Sequence, residues 1–135
     1  MDVPVSLKDV AAPLLGRTQI QILVLEASLV AARDTLLRME AANALGQRQI
    51  LLHNKAGRPG DLSAAELATA LARAPDATIP FLPRAFNGAL NLGRPAWRDD
   101  PRAEAAVALL ARELSGQKVR TPKAPGWKRL LGLAQ

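Results

Sequence analysis

The chain has 135 residues, a length that suits one domain, and 49% of them are hydrophobic but only 3% aromatic, so any core rests on Leu, Ile, Val and Ala. Cysteine is absent and histidine occurs once, which excludes a disulfide frame, a thiolate nucleophile and the common zinc sites. The net charge of +6 is uneven: Lys118, Arg120, Lys123, Lys128 and Arg129 face no acidic residue from Ser115 onward, while the rest of the chain is close to neutral.

The elements in chain order begin with a helix expected over Ser6 to Leu15, ending at Gly16. The run Ile20-Gln21-Ile22-Leu23-Val24-Leu25 reads as a strand. Ser28 then caps a helix whose apolar stripe is Leu29, Ala32, Leu36 and Met39. A second strand is Ile50-Leu51-Leu52-His53. Ser63 and Glu66 form a capping-box pattern, with Leu62 and Leu67 at the staple positions and Ala64, Leu67 and Leu71 as the apolar side. The third strand is Ala77-Thr78-Ile79. A short helix runs from Pro83 to about Asn91. Asp100-Pro101 opens the last helix, with Ala103, Val107, Leu110 and Leu114 inward and a stop at Gly116.

The strand cores are largely uninterrupted apolar runs, as for parallel strands buried on both faces. The order α-β-α-β-α-β-α-α implies an α/β fold, and right-handed crossovers make the sheet parallel. Three strands are few, and at least one edge is left bare. That bareness suggests a piece of something larger, or a dimer. Residues 116–125, with Pro122 and Pro125, read as a linker, and 126–135 as a basic amphipathic tail. No apolar run is long enough to span a membrane and no secretory signal opens the chain, so the expected location is cytoplasmic.

Tests for chemistry return little. No carboxylate spacing suits a metal, and no G-x-S-x-G elbow exists for a hydrolase. His53 ends an apolar run and reads as a buried or edge histidine held by a backbone partner. Asp99-Asp100 is a helix cap. Gly57-Arg58-Pro59-Gly60 is the glycine-rich loop after a strand, but it lacks the lysine of a phosphate loop and Pro59 removes an amide. No catalytic residue and no metal site is assigned.

Two longer phrases carry more. "ILLHNKAGRPGDLSAAEL" followed by "IPFLPRAFNGALNLGRPAW" resembles the C-terminal half of the MinD/ParA-type P-loop ATPases. The branch it most resembles is CpaE/TadZ, which serves assembly and polar placement of Flp/Tad pili. Ile50 to Asn54 and Lys55 match a strand that ends in Asn and a basic residue. Pro80, then Arg84-Ala85 through Asn91-Leu92-Gly93-Arg94-Pro95, match the next element. Asp2-Val3-Pro4 resembles the family's D-x-P, and "LEASLVAARDTLLRM" its strand and helix with Ser-Leu-x-x-x-Arg-Asp. The likeness spans Met1 to about Leu114. It implies half of a doubly wound P-loop NTPase-like fold: a partial MinD/ParA-like α/β domain over 1–115 without the Walker A half.

The resemblance further implies roles. Asn54 corresponds to the Asn that contacts adenine, and Pro80, Leu82 and Pro83 to the segment over the base. Asp2 corresponds to the switch aspartate near Mg²⁺ and the γ-phosphate. From the residues alone, Asn54 reads first as a strand-end turn former, and Asp2 lies where termini fray. ATP and Mg²⁺ are the family's cofactors. None is expected on this chain alone, and no ATP hydrolysis by itself, because the phosphate loop is missing.

The tail "GWKRLLGLAQ" sets Trp127, Leu130 and Leu131 on one side and Lys128 and Arg129 on the other. It is expected either to contact an anionic membrane, peripherally at the inner membrane, or a partner groove, or to be a solvated terminus. A protein partner, self or pilus-assembly machinery, ranks ahead of nucleic acid, which five tail charges would bind with only a modest salt dependence. Three functions stay open: a truncated interaction module, half of an ATPase completed by an upstream chain, and a DNA- or membrane-binding adaptor.

Overall fold

The computed structural model describes Pro13 and residues 15–116. The Asp2 assignment, the linker and the tail residues Trp127 to Leu131 lie outside the described residues, as does most of the expected first helix. The described elements are β1 (Ile20–Leu25), α1 (Leu29–Ala44), β2 (Arg48–Ala56), α2 (Ala64–Ala70), β3 (Ala77–Pro80), α3 (Pro83–Asn91), a 3₁₀ turn (Ala96–Arg98) and α4 (Pro101–Ser115). The three strands form a parallel sheet in the order β1-β2-β3. The fold is thus α/β, a partial parallel sheet with flanking helices, as the alternation requires.

Register settles which side chains share a face. Leu23 pairs with Leu51 and Leu25 with His53, and these point to one face. There Leu23, Leu25, Ala27, Ala32, Leu51, Leu67 and Leu71 form the main core, under α1 and α2. Ile22 and Val24 pair with Ile50 and Leu52 on the opposite face, where Leu52 also meets Ala77 of β3. Helix α4 packs on that face against β3, with Ala103 and Ala106 buried.

The two helix layers are therefore offset. Strand β2 is buried on both faces from Ile50 to His53. Strand β1 is not: Ile22 is 38% and Val24 60% exposed, beside Leu23 at 7% and Leu25 at 4%. The expectation of double burial fails for β1 because α4 lies over β2 and β3 and stops short of it. β3 is the mirror case: Thr78, the register partner of His53, is exposed on the α1–α2 face because those helices do not extend over β3.

The stripe on α1 also differs. Leu29 is 68% exposed, and the buried positions are Ala32, Thr35 and Ala42, with Leu36 and Met39 half-buried. Small residues let α1 lie close to the sheet, and Leu29 in its first turn overhangs the edge. Ala64 of α2 is exposed as well, whereas Leu67 and Leu71 are buried.

The caps form as the sequence implies. Ser28 Oγ accepts from Ala31 N–H at 3.1 Å. Ser63 Oγ accepts from Glu66 N–H at 3.3 Å, and Glu66 Oε2 accepts from Ser63 N–H at 2.8 Å, completing the box. Asp100 Oδ1 accepts from Arg102 N–H at 2.9 Å. Gly116 ends α4 at φ 66°, a conformation that suits glycine. Helix α3 has proline at its first position but no side-chain cap, since Leu82 stands at the capping site.

Candidate functional site

In open parallel sheets, ligands sit outside the carboxyl ends of the strands. Here that edge is built by Glu26-Ala27 after β1, Asn54 to Asp61 at the end of β2, and Pro80 to Pro83 after β3. Ala56 pairs with Pro80, and Phe81 N–H donates to Ala56 O at 2.8 Å. Asn54 and the Pro80–Pro83 segment, 26 residues apart in sequence at their nearest, are thereby brought to one corner.

The corner depends on an irregular end to β2. Pairing with β3 shifts register between His53 and Ala56, and Lys55 takes a left-handed φ of 57°. Such a turn is unusual for a residue with a Cβ. Asn54 supports it: its Oδ1 accepts from Lys55 N–H at 3.0 Å. The turn-former role of Asn54 is thus realised, and it commits the side-chain oxygen, while the amide nitrogen has no partner among the described residues. Asn54 is half-buried, as are Pro80 and Phe81, while Leu82 is buried and Pro83 exposed.

A charge network lies alongside. Glu26 Oε1 accepts from Lys55 Nζ at 2.5 Å, and Glu26 Oε2 lies 2.6 Å from Arg58 Nη1. Arg58 also donates through Nε and Nη2 to Asp61 Oδ1, at 3.1 and 2.9 Å. The hydrogen bond from Lys55, aided by the Arg58 charge, holds the Glu26 carboxyl below its ordinary range. Asp61 in turn holds the Arg58 guanidinium above its own. Leu62 N–H donates to Ala27 O at 2.9 Å and ties the loop back to β1. The glycine-rich loop is therefore a braced turn. Its arginine is spent on two carboxylates, in keeping with the sequence argument against a phosphate cradle there.

His53 is 4% exposed, and its Nε2 has no hydrogen-bond partner among the described residues. The expected backbone partner is not made by that nitrogen. Burial pushes the imidazole below its usual range, and the charge of Asp61 partly opposes this. Asp61 Oδ2 is likewise buried without a partner. Buried polar atoms left unpaired are costly.

Two contacts that fasten the amino-terminal side of the sheet escaped the sequence. Asp76 Oδ2 accepts from Leu51 N–H at 2.8 Å, so a carboxylate ahead of β3 extends the pairing of β2. Gln47, 9% exposed, donates through Nε2 to Leu15 O and to Thr18 O, fastening the start of β2 to the segment before β1. Both join residues far apart in sequence, and local spacing carries no sign of them. Among the described residues, no group of three or more His, Cys, Asp or Glu is placed to hold a metal ion.

No protein-family model and no curated protein matches the chain. Among solved structures it is similar to the MinD cell division protein of Aquifex aeolicus, with a TM-score of 0.64 and 19% identity. The match covers 81% of this chain and 49% of that one, so the chain spans about half the length of the structure it resembles. The likeness establishes a MinD-like, P-loop NTPase-like fold. No helix among the described residues is long and apolar enough to cross a membrane.

Proposed function

We propose that the chain is a truncated interaction module of the MinD/ParA type, of the CpaE/TadZ kind that serves Flp/Tad pilus assembly or polar placement. In this role it supplies an adenine-facing wall, and a separate phosphate-binding half supplies the rest of the nucleotide site. The observation that carries this is the corner at the carboxyl edge of the sheet, where Ala56, two residues past Asn54, pairs with Pro80 and accepts from Phe81 N–H ahead of Leu82 and Pro83. The apolar outer face of β1 supports the second part: Ile22 and Val24 are exposed beside a strand edge that is unpaired among the described residues, where a further layer would bury them.

The chemistry of the wall is recognition. The free amide nitrogen of Asn54 can donate to a ring nitrogen of a base, and the Pro80–Pro83 segment offers an apolar flank. Lys55 and Arg58, the cations of the β2 loop, are both paired with Glu26 rather than offered to a phosphate. The chain alone therefore binds adenosine weakly and does not turn over ATP.

Titrating adenosine into the labelled full chain tests this by amide chemical shifts. Shifts are expected at Asn54, Lys55, Phe81 and Leu82, and Asn54→Ala should abolish them without altering the fold. No shifts from the folded chain, or shifts that survive Asn54→Ala, would reject the wall. ATP turnover by the purified chain would reject the requirement for a second half. The pilus role is checked separately: a chromosomal deletion should abolish Flp/Tad pili or their polar placement.

A further inference from the structure

The side chains around Glu26 converge on one point. One carboxylate oxygen accepts from Lys55 Nζ at 2.5 Å, and the other lies 2.6 Å from Arg58 Nη1. Each oxygen takes one cation. Among the described ion pairs, Glu26 is the carboxylate that two cations share; those of Glu113, Asp61, Asp76, Asp99 and Asp100 each meet one.

The two cations are held in place by other groups. Asp61, whose side chain is 9% exposed, accepts through Oδ1 from both Nε and Nη2 of Arg58. Those bonds fix the guanidinium plane and leave Nη1 directed at Glu26. The loop beneath is closed by its backbone: Arg58 N–H donates to Lys55 O and Asp61 N–H to Arg58 O, both at 3.2 Å, and Leu62 N–H to Ala27 O at 2.9 Å. Lys55 stands at a left-handed φ of 57°, supported by the bond from its N–H to Asn54 Oδ1. Such backbone is costly for a residue with a Cβ and gathers at functional sites. None of these supports runs through Glu26, so the cations keep converging when its carboxylate is replaced.

The meeting point is also open to solutes. The side chains of Lys55, Arg58 and Glu26 are 46%, 34% and 35% exposed. Ion pairs at that exposure contribute little to stability, so turning Glu26 out to water is a small loss. The point lies at the carboxyl edge of the sheet, and Lys55 directly follows Asn54.

We propose that Lys55 and Arg58 form a binding site for a phosphoryl dianion, and that Glu26 is its built-in competitor. Oxygens of a phosphoryl group accept from a guanidinium and an ammonium as carboxylate oxygens do, and carry more charge. In the free chain the Glu26 carboxylate fills the place. A phosphoryl group that enters takes both cations and releases Glu26 to water. The site rests on the cation pair alone. That the group belongs to a nucleotide rests on the proposed adenine wall: a base at the Asn54 corner brings its own phosphate toward Lys55. Without the wall, the ligand is free phosphate.

Titrating inorganic phosphate into the labelled full chain, followed by amide chemical shifts, tests the site. Glu26→Gln should bind at least about tenfold more tightly than the natural chain, the worth of one charge-assisted bond, with shifts at Lys55, Gly57 and Arg58. Glu26→Ala should gain as much. Adding Lys55→Ala or Arg58→Ala to Glu26→Gln should remove the gain, and Glu40→Gln, on the exposed side of α1, should show none. Phosphate should also slow amide exchange at Leu62 in Glu26→Gln, as the anion again joins Lys55 to Arg58. The same spectra show that each variant is folded. Adenosine monophosphate separates the sources: binding tighter than phosphate, with the advantage lost in Asn54→Ala, makes the ligand a nucleotide. Equal binding leaves the phosphoryl site standing and rejects the wall. The proposal is overturned if Glu26→Gln binds phosphate no better than the natural chain, if Glu40→Gln gains equally, or if the gain survives loss of Lys55 and Arg58.

Discussion

Val24 and Leu52 are register partners on the same sheet face, yet they differ in cover: 60% against 5% exposed. Truncation of each to alanine measures that cover. Leu52→Ala removes a fully packed side chain between β1, β3 and the α4 layer, and costs about 2–5 kcal/mol. A fully buried valine contributes about 1.5–3 kcal/mol. Val24 keeps only about two-fifths of that burial, so Val24→Ala costs about 1 kcal/mol or less. With a urea m-value of about 1.5 kcal/mol per M, the midpoints fall by about 1.3 M or more for Leu52→Ala and about 0.7 M or less for Val24→Ala. Urea unfolding followed by far-ultraviolet circular dichroism reads both. Equal losses would mean that the outer face of β1 is covered in the isolated chain, and the argument for a further layer there would collapse. If the proposed second half exists, Val24→Asp leaves the isolated chain folded but abolishes its assembly with that half, seen by co-elution in gel filtration.

Four smaller tests address the edge and its supports. Ser63→Ala breaks the box at the start of a short helix and should cost about 1 kcal/mol by urea unfolding. Gly60→Ala, at φ 86° with open space around the site, should cost about 1–2 kcal/mol from backbone strain alone. The His53 imidazole lies below its unfolded value of 6.5, so the unfolded chain binds the extra proton first; stability is full above that pH and falls as pH drops toward the folded value. The urea midpoint should therefore decline below about pH 6.5, well before the carboxylates titrate, and His53→Gln should flatten that part of the profile. Glu26→Gln removes the charge shared by Lys55 and Arg58, and amide exchange at Leu62 should quicken as the loop loosens.

The strands and helices and their succession along the chain were legible because strand cores, caps and glycine stops are local signals. Ser63 with Glu66, Asp100 with Pro101, and Gly116 all act within a few residues, and each appears where its spacing places it. Cover is not local. Ile22 and Val24 read like Leu23 and Leu25, and only the position of α4, set by contacts with β3, separates them. Leu29 misled for a related reason: its spacing fits the stripe, but it sits in the first turn of α1, past the edge of the core. At the candidate site, Asn54 and Lys55 stood out through the strand-end pattern. Glu26, Asp61 and Asp76 did not, since their value lies in partners on other strands and loops.

The two edge strands show which bare face is meant for water. β3 presents Thr78 on its uncovered face, a side chain that solvent satisfies. β1 presents Ile22 and Val24 in the same situation, and β-branched apolar side chains gain nothing there from water. An edge strand is usually protected by charge, proline or a bulge. β1 has none of these between Ile20 and Leu25, and its first charge, Glu26, is drawn away to Lys55 and Arg58. One offset of the helix layers thus leaves a polar margin at β3 and an apolar one at β1. The difference is in the sequence rather than in the geometry, and the β1 margin is where the proposed second half would dock.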